Sequence, residues 1–446
     1  MKIEYFGIAK QNLNSGIDID LDFDLMQKHI DNIKQRKVST MLDWLDLPDI
    51  SENELQKIEN IAKKCENMTD FVVFGVGGSA LGVKFLDDTF VRSLNKKTKT
   101  SVHVCDNIDA EKLVTFLDEL DLEKTMFNVV TKSGSTTETL VQMLIVMERY
   151  NKIGIDFRKH IVVTTTQNND LWNWAQSEGV DLLSIPKGVG GRYSVLSAVG
   201  LLPAKVMGLD LQELLNGAKK ARDYSFACDK SNLSYLGAYI NFAFYQKGLK
   251  DLVTMPYSDR LSLLPEFLAQ LWAESLAKKH NRKGEIVFAG QTPIRTKGVT
   301  DQHSQLQLYS EGPKNKLLMF FRVDNTENDE TVSITLPFAK HLNGVSLKKL
   351  FYYEFNATAF SLTSIDRPNY TIVLDEISEK SIGELIFMLE MMTAFMGEMM
   401  DVNAFDQPGV ELSKTYTKAM LGVDIEASKA KQIKDYMLDK EKFVLD

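Results

Sequence analysis

The sequence predicts an α/β fold made of two doubly wound, mainly parallel sheets in succession. Between residues 71 and 210, five short apolar runs alternate with helical patterns, as crossover-connected parallel strands require. The first of them, residues 71–76, lacks a clean apolar–polar alternation, which is expected of a strand covered by helices on both faces. A polar stretch near 209–250 then gives way to a second set of strands beginning at Leu252. With 446 residues, 44% of them hydrophobic, the chain can bury cores for two or three domains. The boundaries read as a helical arm over 1–65, a first α/β domain over 66–210, and a second over 211–446 that finishes in helices.

The formal net charge of −9 and the lack of any block of Lys and Arg argue against a nucleic-acid arm or a membrane-surface patch. No stretch approaches the roughly 18 apolar residues of a membrane span. The opening MKIEYFGIAKQ has no apolar core of a signal peptide. Three cysteines, Cys65, Cys105 and Cys228, show neither CxxC nor CxxH spacing, which argues against disulfides and structural zinc and fits the reducing cytoplasm.

The arm opens with the strand-like KIEYF and turns polar and helical, with Leu42, Trp44 and Leu45 as anchors before Pro48; no chemistry is evident in it. The run Phe71 to Val76 then breaks into Gly77-Gly78-Ser79 just where a helical pattern of Leu81, Phe85 and Phe90 begins. Glycines let a backbone approach an anion closely, and a helix start presents outward amides. Gly78 and Ser79 therefore suit a phosphate, although the loop alone also reads as a tight strand-to-helix turn. It is no dinucleotide fingerprint: the third glycine is misplaced, and Asp106 fits poorly as a ribose ligand.

Further strands read at 102–105, 126–131, 161–166 and 181–185. In the flavodoxin-like order, the loops after strands one and three flank the switch point where ligands bind. The third-strand loop, TKSGSTTET from Thr131 to Thr139, holds a lysine, a glycine and six hydroxyls in nine residues. A helix cap completed by Glu138 explains part of that composition. The surplus suits a second anion cradle around Thr131, Lys132, Ser133 and Thr136. In GVGGRYS, the fixed charge of Arg192 suits a developing oxyanion, while a carbonyl cap or an acid pair explains it equally well.

The second domain reads as strands at 252–256, 286–288, 316–323, 332–336 and 370–374, in an order that the sequence does not reveal. A helix from Pro265 to Lys279 has Phe267, Leu268, Leu271, Trp272 and Leu276 as core positions. Glu274 lies near that stripe, and its plain reading is a surface carboxylate paired to Lys278. Of the six histidines, His303 in DQHSQ has the most polar setting, suited to moving protons near neutral pH or simply to solvation. The others, His29, His103, His160, His280 and His341, read as structural or solvated. A Met-rich helix near 381–400 fills core. FDQPGVELSK then carries Gln407 and Lys414, the latter taken singly a solvated helix lysine.

In this order, GVGGSALG, TKSGSTTET, GVGGRYSVLSAVGLLP, MPYSDRL with QLWAESLAKK, GVTDQHSQLQLY and FDQPGVELSK resemble the phosphoglucose isomerase family in its compact bacterial form, over roughly residues 70–420. Lys187 ahead of Gly188, and Thr131 where longer relatives often carry serine, depart from the pattern. The resemblance implies two sugar isomerase (SIS) αβα sandwich domains and phosphate binding by Gly78, Ser79, Ser133 and Thr136, assisted by Thr131 and Lys132. It further implies catalysis by Arg192, Glu274, His303 and Lys414, with Gln407 near the substrate and neither cofactor nor metal. The implied reaction is reversible isomerisation of D-glucose 6-phosphate and D-fructose 6-phosphate through a cis-enediol, in glycolysis and gluconeogenesis in the cytoplasm. Its partners would be a sugar phosphate and a second copy of the chain, whose residue matching His303 reaches across into a shared site, with no nucleic acid or membrane. Two alternatives are a relaxed isomerase that also turns over mannose 6-phosphate and a non-catalytic SIS sensor. The joint presence of Glu274, His303 and Lys414 argues against the sensor.

Overall fold

Two five-stranded sheets carry the fold in a computed structural model that describes residues 1–37, 41–423, 427–440 and 443–444. Contacts divide the chain into two compact units, Met1–Ala404 and Phe405–Asp446, and both sheets belong to the first. The arm contributes β1 (Lys2–Glu4), α1 (Phe23–Arg36) and α2 (Glu52–Lys64). Its anchors Leu42 and Trp44 are fully buried, and Trp44 stacks on Tyr193 with ring centroids 4.8 Å apart.

The first sheet comprises β2 (Asp70–Phe74), β3 (Ser101–Cys105), β4 (Thr125–Val130), β5 (Ile161–Thr165) and β6 (Asp181–Ser184). Between them run α3 (Leu81–Phe90), α4 (Ala110–Glu119), α5 (Thr137–Ile153) and α6 (Asp170–Glu178). The spatial order is β3-β2-β4-β5-β6 with every pair parallel, the flavodoxin-like order expected from the sequence. Valine and phenylalanine fill these strands because they pack between two helical layers; Val72, Phe74, Phe127, Val129 and Val163 form one core with Val146 and Tyr150 of α5.

Helices α7 (Ala198–Val206), α8 (Leu211–Ser225) and α9 (Leu233–Gln246) lead to β7 (Asp251–Tyr257) and α10 (Leu264–Leu276). The chain continues through β8 (Lys278–His280), β9 (Ile286–Ala289), β10 (Thr292–Arg295), α11 (Leu306–Glu311), β11 (Lys316–Val323), α12 (Leu347–Ser364), β12 (Asn369–Leu374) and α13 (Glu379–Met399). The second sheet has the order β1-β12-β11-β7-β10, parallel except for the antiparallel edge strand β1. Without β1 it repeats the first sheet's pattern, with the second strand on one side of the first and the third on the other.

One expected strand forms outside the sheet, and another is corrected. Residues 286–288 belong to a separate antiparallel hairpin with β8, and 332–336 form no strand, although Thr331 bridges Ser346. In both places the side chains are exposed, Phe288 at 73% and Ile334 at 73%, so an apolar run there covers no sheet core. The strand that joins the sheet instead is β10, Thr-Pro-Ile-Arg, which its proline disguised; at a sheet edge the missing N–H is tolerated. Helix α13 is buried along nearly its whole length, and its methionines do fill core. It crosses α8 with backbones touching: a Cβ at Gly217 would overlap the Lys380 carbonyl, and one at Gly383 the Leu214 carbonyl.

The second unit holds a single turn at Pro408–Val410, then α14 (Glu411–Met420) and α15 (Ala427–Lys440). The two helices pack on each other, with the Tyr416 hydroxyl donating to Gln432 Oε1 at 3.3 Å.

Candidate active site

At the switch point of the first sheet, the loops after β2 and β4 lie side by side beyond the strand ends. After β2, Gly77 takes a left-handed φ of 59°, and Gly77–Ser79 makes one 3₁₀ turn ahead of α3. Gly78 lies so close to the Gly191 carbonyl and the Arg192 amide that no Cβ fits between them. Glycine is therefore needed here for close approach of two backbones, and the β2 loop and the Gly190–Tyr193 segment form one surface.

In the β4 loop the hydroxyls do not cap the helix that follows. Thr136 occupies the N-cap position of α5, yet its side chain makes no cap bond; its Oγ1 lies 2.7 Å from the buried Thr131 Oγ1 instead. The expected capping box with Glu138 does not form, so the α5 N-terminus keeps uncapped amides, an anion-favouring end. The loop is braced from behind. Thr165 Oγ1 donates to the Thr131 carbonyl at 2.5 Å, and Asn169 Nδ2 donates to Thr165 Oγ1 at 2.8 Å. Ser133 is exposed, and its Oγ accepts from the Ser135 amide at 3.2 Å. Burial holds the Lys132 ammonium below its usual pKa, with Asp43 pulling it back up and Arg192 adding to the fall.

Arg192 is buried, its side chain 2% exposed. Its Nε donates to Ser275 Oγ at 2.7 Å, its Nη2 to the Ala404 carbonyl at 2.7 Å, and its Nη1 faces Glu274 Oε2 at 3.5 Å. The guanidinium fork is thus fixed in plane. Glu274, one-third exposed, also accepts from Gln270 Nε2 at 3.2 Å. The expected surface pairing with Lys278 takes another form: Lys278 Nζ donates to the Glu274 main-chain carbonyl at 2.8 Å. Gln270 in turn lies against Gly77. The contacts close a ring, from Gly77 through Gln270, Glu274 and Arg192 to Gly191 and Gly78.

His303 ends the turn Thr300–His303 and is exposed, with no hydrogen bond to any member of that ring. Its turn is firmly held: Asp301 Oδ2 accepts from the Lys297 amide at 2.7 Å, and the Tyr257 hydroxyl donates to Gln302 Oε1 at 2.8 Å. Gln407 and Lys414 belong to the second unit, where Gln407 precedes the Pro408 turn and Lys414 Nζ pairs with Glu411 Oε1 at 2.8 Å. Sequence reasoning missed Gln270 and Ser275 as members of the site. Gln270 was recoverable from its spacing of one helical turn before Glu274; Ser275 carried no signal of its own. Among the described residues, no group of three or more His, Cys, Asp or Glu side chains could hold a metal ion.

Comparison with known proteins gives the family. The family model described as phosphoglucose isomerase matches residues 52–437. Glucose-6-phosphate isomerase of Carboxydothermus hydrogenoformans is 41% identical over 93% of this chain and 92% of its own, and one from Thermus thermophilus is 38% identical over 87% and 92%. Among solved structures, a hypothetical protein from Thermus thermophilus superposes with a TM-score of 0.85 at 35% identity, covering 94% of this chain and 99% of that one. A glucose-6-phosphate isomerase from Chlamydia trachomatis gives 0.80 at 21% identity over 94% and 90%, a likeness of fold. The chain belongs to the phosphoglucose isomerase family.

Proposed function

We propose that this site interconverts D-glucose 6-phosphate and D-fructose 6-phosphate through a cis-enediol. The observation that carries the reading is a buried, planar-fixed Arg192 facing Glu274 beside two loops rich in hydroxyls and uncapped amides. In that reading the phosphate rests on Ser79, Ser133 and Thr136, with Gly78, Thr131 and Lys132 around it. Glu274 removes the C2 proton of the open-chain aldose and returns it to C1, while the C1 carbonyl becomes a hydroxyl and the C2 hydroxyl a carbonyl. Arg192 stabilises the charge that develops on the oxygens. His303 with Lys414 opens the pyranose ring, and Gln407 lies beside the sugar.

The reading includes an arm over 1–65, SIS domains over 66–210 and 211–446, and a cytoplasmic homodimer. What favours a second copy is that His303 is exposed and makes no hydrogen bond to the ring of site residues in its own protomer. No helix among the described residues is long and apolar enough to cross a membrane. The test is fructose 6-phosphate formation in a coupled assay with a metal chelator present; no turnover of glucose 6-phosphate would sink the reading.

A further inference from the structure

The arm, which carries no evident chemistry in sequence, touches the site at three successive points. Met41 Sδ lies 3.7 Å from Lys132 Nζ, and Met41 also meets Gly190. Asp43 forms a two-way bridge with Gly188: its carboxylate accepts the Gly188 amide at 2.9 Å, and its own amide donates to the Gly188 carbonyl at 3.1 Å. The fit is tight enough that a Cβ on Gly188 would overlap that carboxylate. Trp44 stacks on Tyr193, whose hydroxyl lies 3.2 Å from the Ser275 Oγ that receives Arg192. The charged groups acting on Lys132 are Asp43 and Arg192, of opposite sign.

We infer that Asp43 is a positioning residue of this site: it clamps the Gly188–Gly191 segment that delivers Arg192, and its charge holds the Lys132 ammonium in place against the nearby guanidinium. The second part rests on the reading above in which Lys132 attends the substrate phosphate. Physically, two cations held near each other repel, and a fixed carboxylate acting on one of them relieves that repulsion. Asp43 sits on the arm rather than on either loop, so it links arm docking to the geometry of the site.

Asp43→Asn separates the two roles, because an amide oxygen still accepts the Gly188 amide while the charge is gone. Expected is a kcat close to wild type, a KM raised about three- to fivefold, and a KM that climbs at a lower pH on the alkaline side, as Lys132 gives up its proton earlier. Asp43→Ala should lower kcat as well, since the Gly188 amide loses its acceptor. Lys132→Arg supplies a cation that does not titrate, so adding Asp43→Asn to it should leave the alkaline rise absent. A second readout is independent of turnover: the rate of reductive methylation of Lys132 near pH 8, followed by mass spectrometry, should be higher in Asp43→Asn than in wild type. An unchanged methylation rate overturns the inference. A faster rate with wild-type KM at every pH supports the Asp43–Lys132 coupling and removes Lys132 from phosphate binding instead.

Discussion

The two sheets share a strand order and therefore a crevice, yet the loops at the two crevices differ in chemistry. Beyond β2 and β4 stand Gly77, Gly78, Ser79 and the hydroxyls from Thr131 to Thr136. Beyond β7 and β11 lies a cavity of about 1030 Å³, whose lining includes Tyr257, Asp259, Arg260, Asp324, Asp329 and Glu330. Each crevice has a buried arginine, and the contrast between the two is the sharpest. Arg192 donates to the neutral oxygens of Ser275 and Ala404 at 2.7 Å each, and Glu274 Oε2 stands off at 3.5 Å. Arg322 is forked onto Glu4 at 2.8 and 3.0 Å and bonds Asp324 at 2.9 Å, so two carboxylates meet its charge. Topology provides a place for a ligand, and loop chemistry decides whether one is held.

The largest effect that could break this contrast is at Glu274. Glu274→Gln keeps the shape and the Gln270 contact but removes the base, which is typically worth about 10²–10⁴-fold in rate. Deuterium exchange at C2 in heavy water should fall with turnover, while anomer interconversion by NMR persists. Exchange at the wild-type rate would show that another group takes the proton. Next in size is Arg192→Lys, which replaces a planar fork by a point charge and should cost about 10²-fold or more in kcat. Arg322→Lys in the other crevice should leave kcat and KM per folded molecule unchanged. Equal losses at both positions would erase the distinction.

A smaller effect sharpens the same comparison on the substrate side. Ser79→Ala combined with Ser133→Ala removes hydrogen bonds present in both ground and transition states, so KM should rise about tenfold or more while kcat changes little. Ser258→Ala, at the matching place after β7, should change neither constant. Steady-state kinetics on the two variants decides; an unchanged KM in the double variant would move the phosphate elsewhere.

How much of this was legible in the sequence follows from the range of each interaction. The first sheet was readable strand by strand because Val and Phe runs ending in Gly or Ser are local signals. Its order followed from the crossovers. The second sheet was less so. Ile286–Phe288 and Val332–Leu336 are apolar without being core in the chain itself, and β10 hides behind Pro293. In the site, the glycine and hydroxyl loops announced themselves. The Glu274–Arg192 contact did not, since residues 82 positions apart meet only through the fold. Helical spacing instead favoured Lys278, whose ammonium reaches the Glu274 carbonyl. Gly78 read as room for an anion, whereas it leaves room for a second backbone, and Gly188, which carried no signal of its own, leaves room for Asp43.

The smallest effect expected is one of stability, in the second crevice. Arg322 ties the edge strand β1 to the sheet through Glu4, and its hydrogen bond is the leading reason that the Glu4 carboxyl lies below its ordinary pKa of 4.5. A group whose folded pKa is depressed stabilises the fold when ionised. Its contribution is present above the unfolded value and is lost as pH falls through the folded one. Glu4 is partly exposed, so solvent screening limits the pair to at most about 1 kcal/mol. Glu4→Gln should therefore lower stability slightly in urea titrations near pH 7, and the gap to wild type should close as pH drops below 4.5. Arg322→Gln should cost more, about 1–2 kcal/mol, because it leaves the carboxylates of Glu4 and Asp324 to the longer contacts with the half-exposed Lys2. Turnover per folded molecule should be unaffected by either change. A raised KM in Arg322→Gln would mean that the second crevice takes part in binding substrate, and the division between a reacting crevice and a structural one would fail.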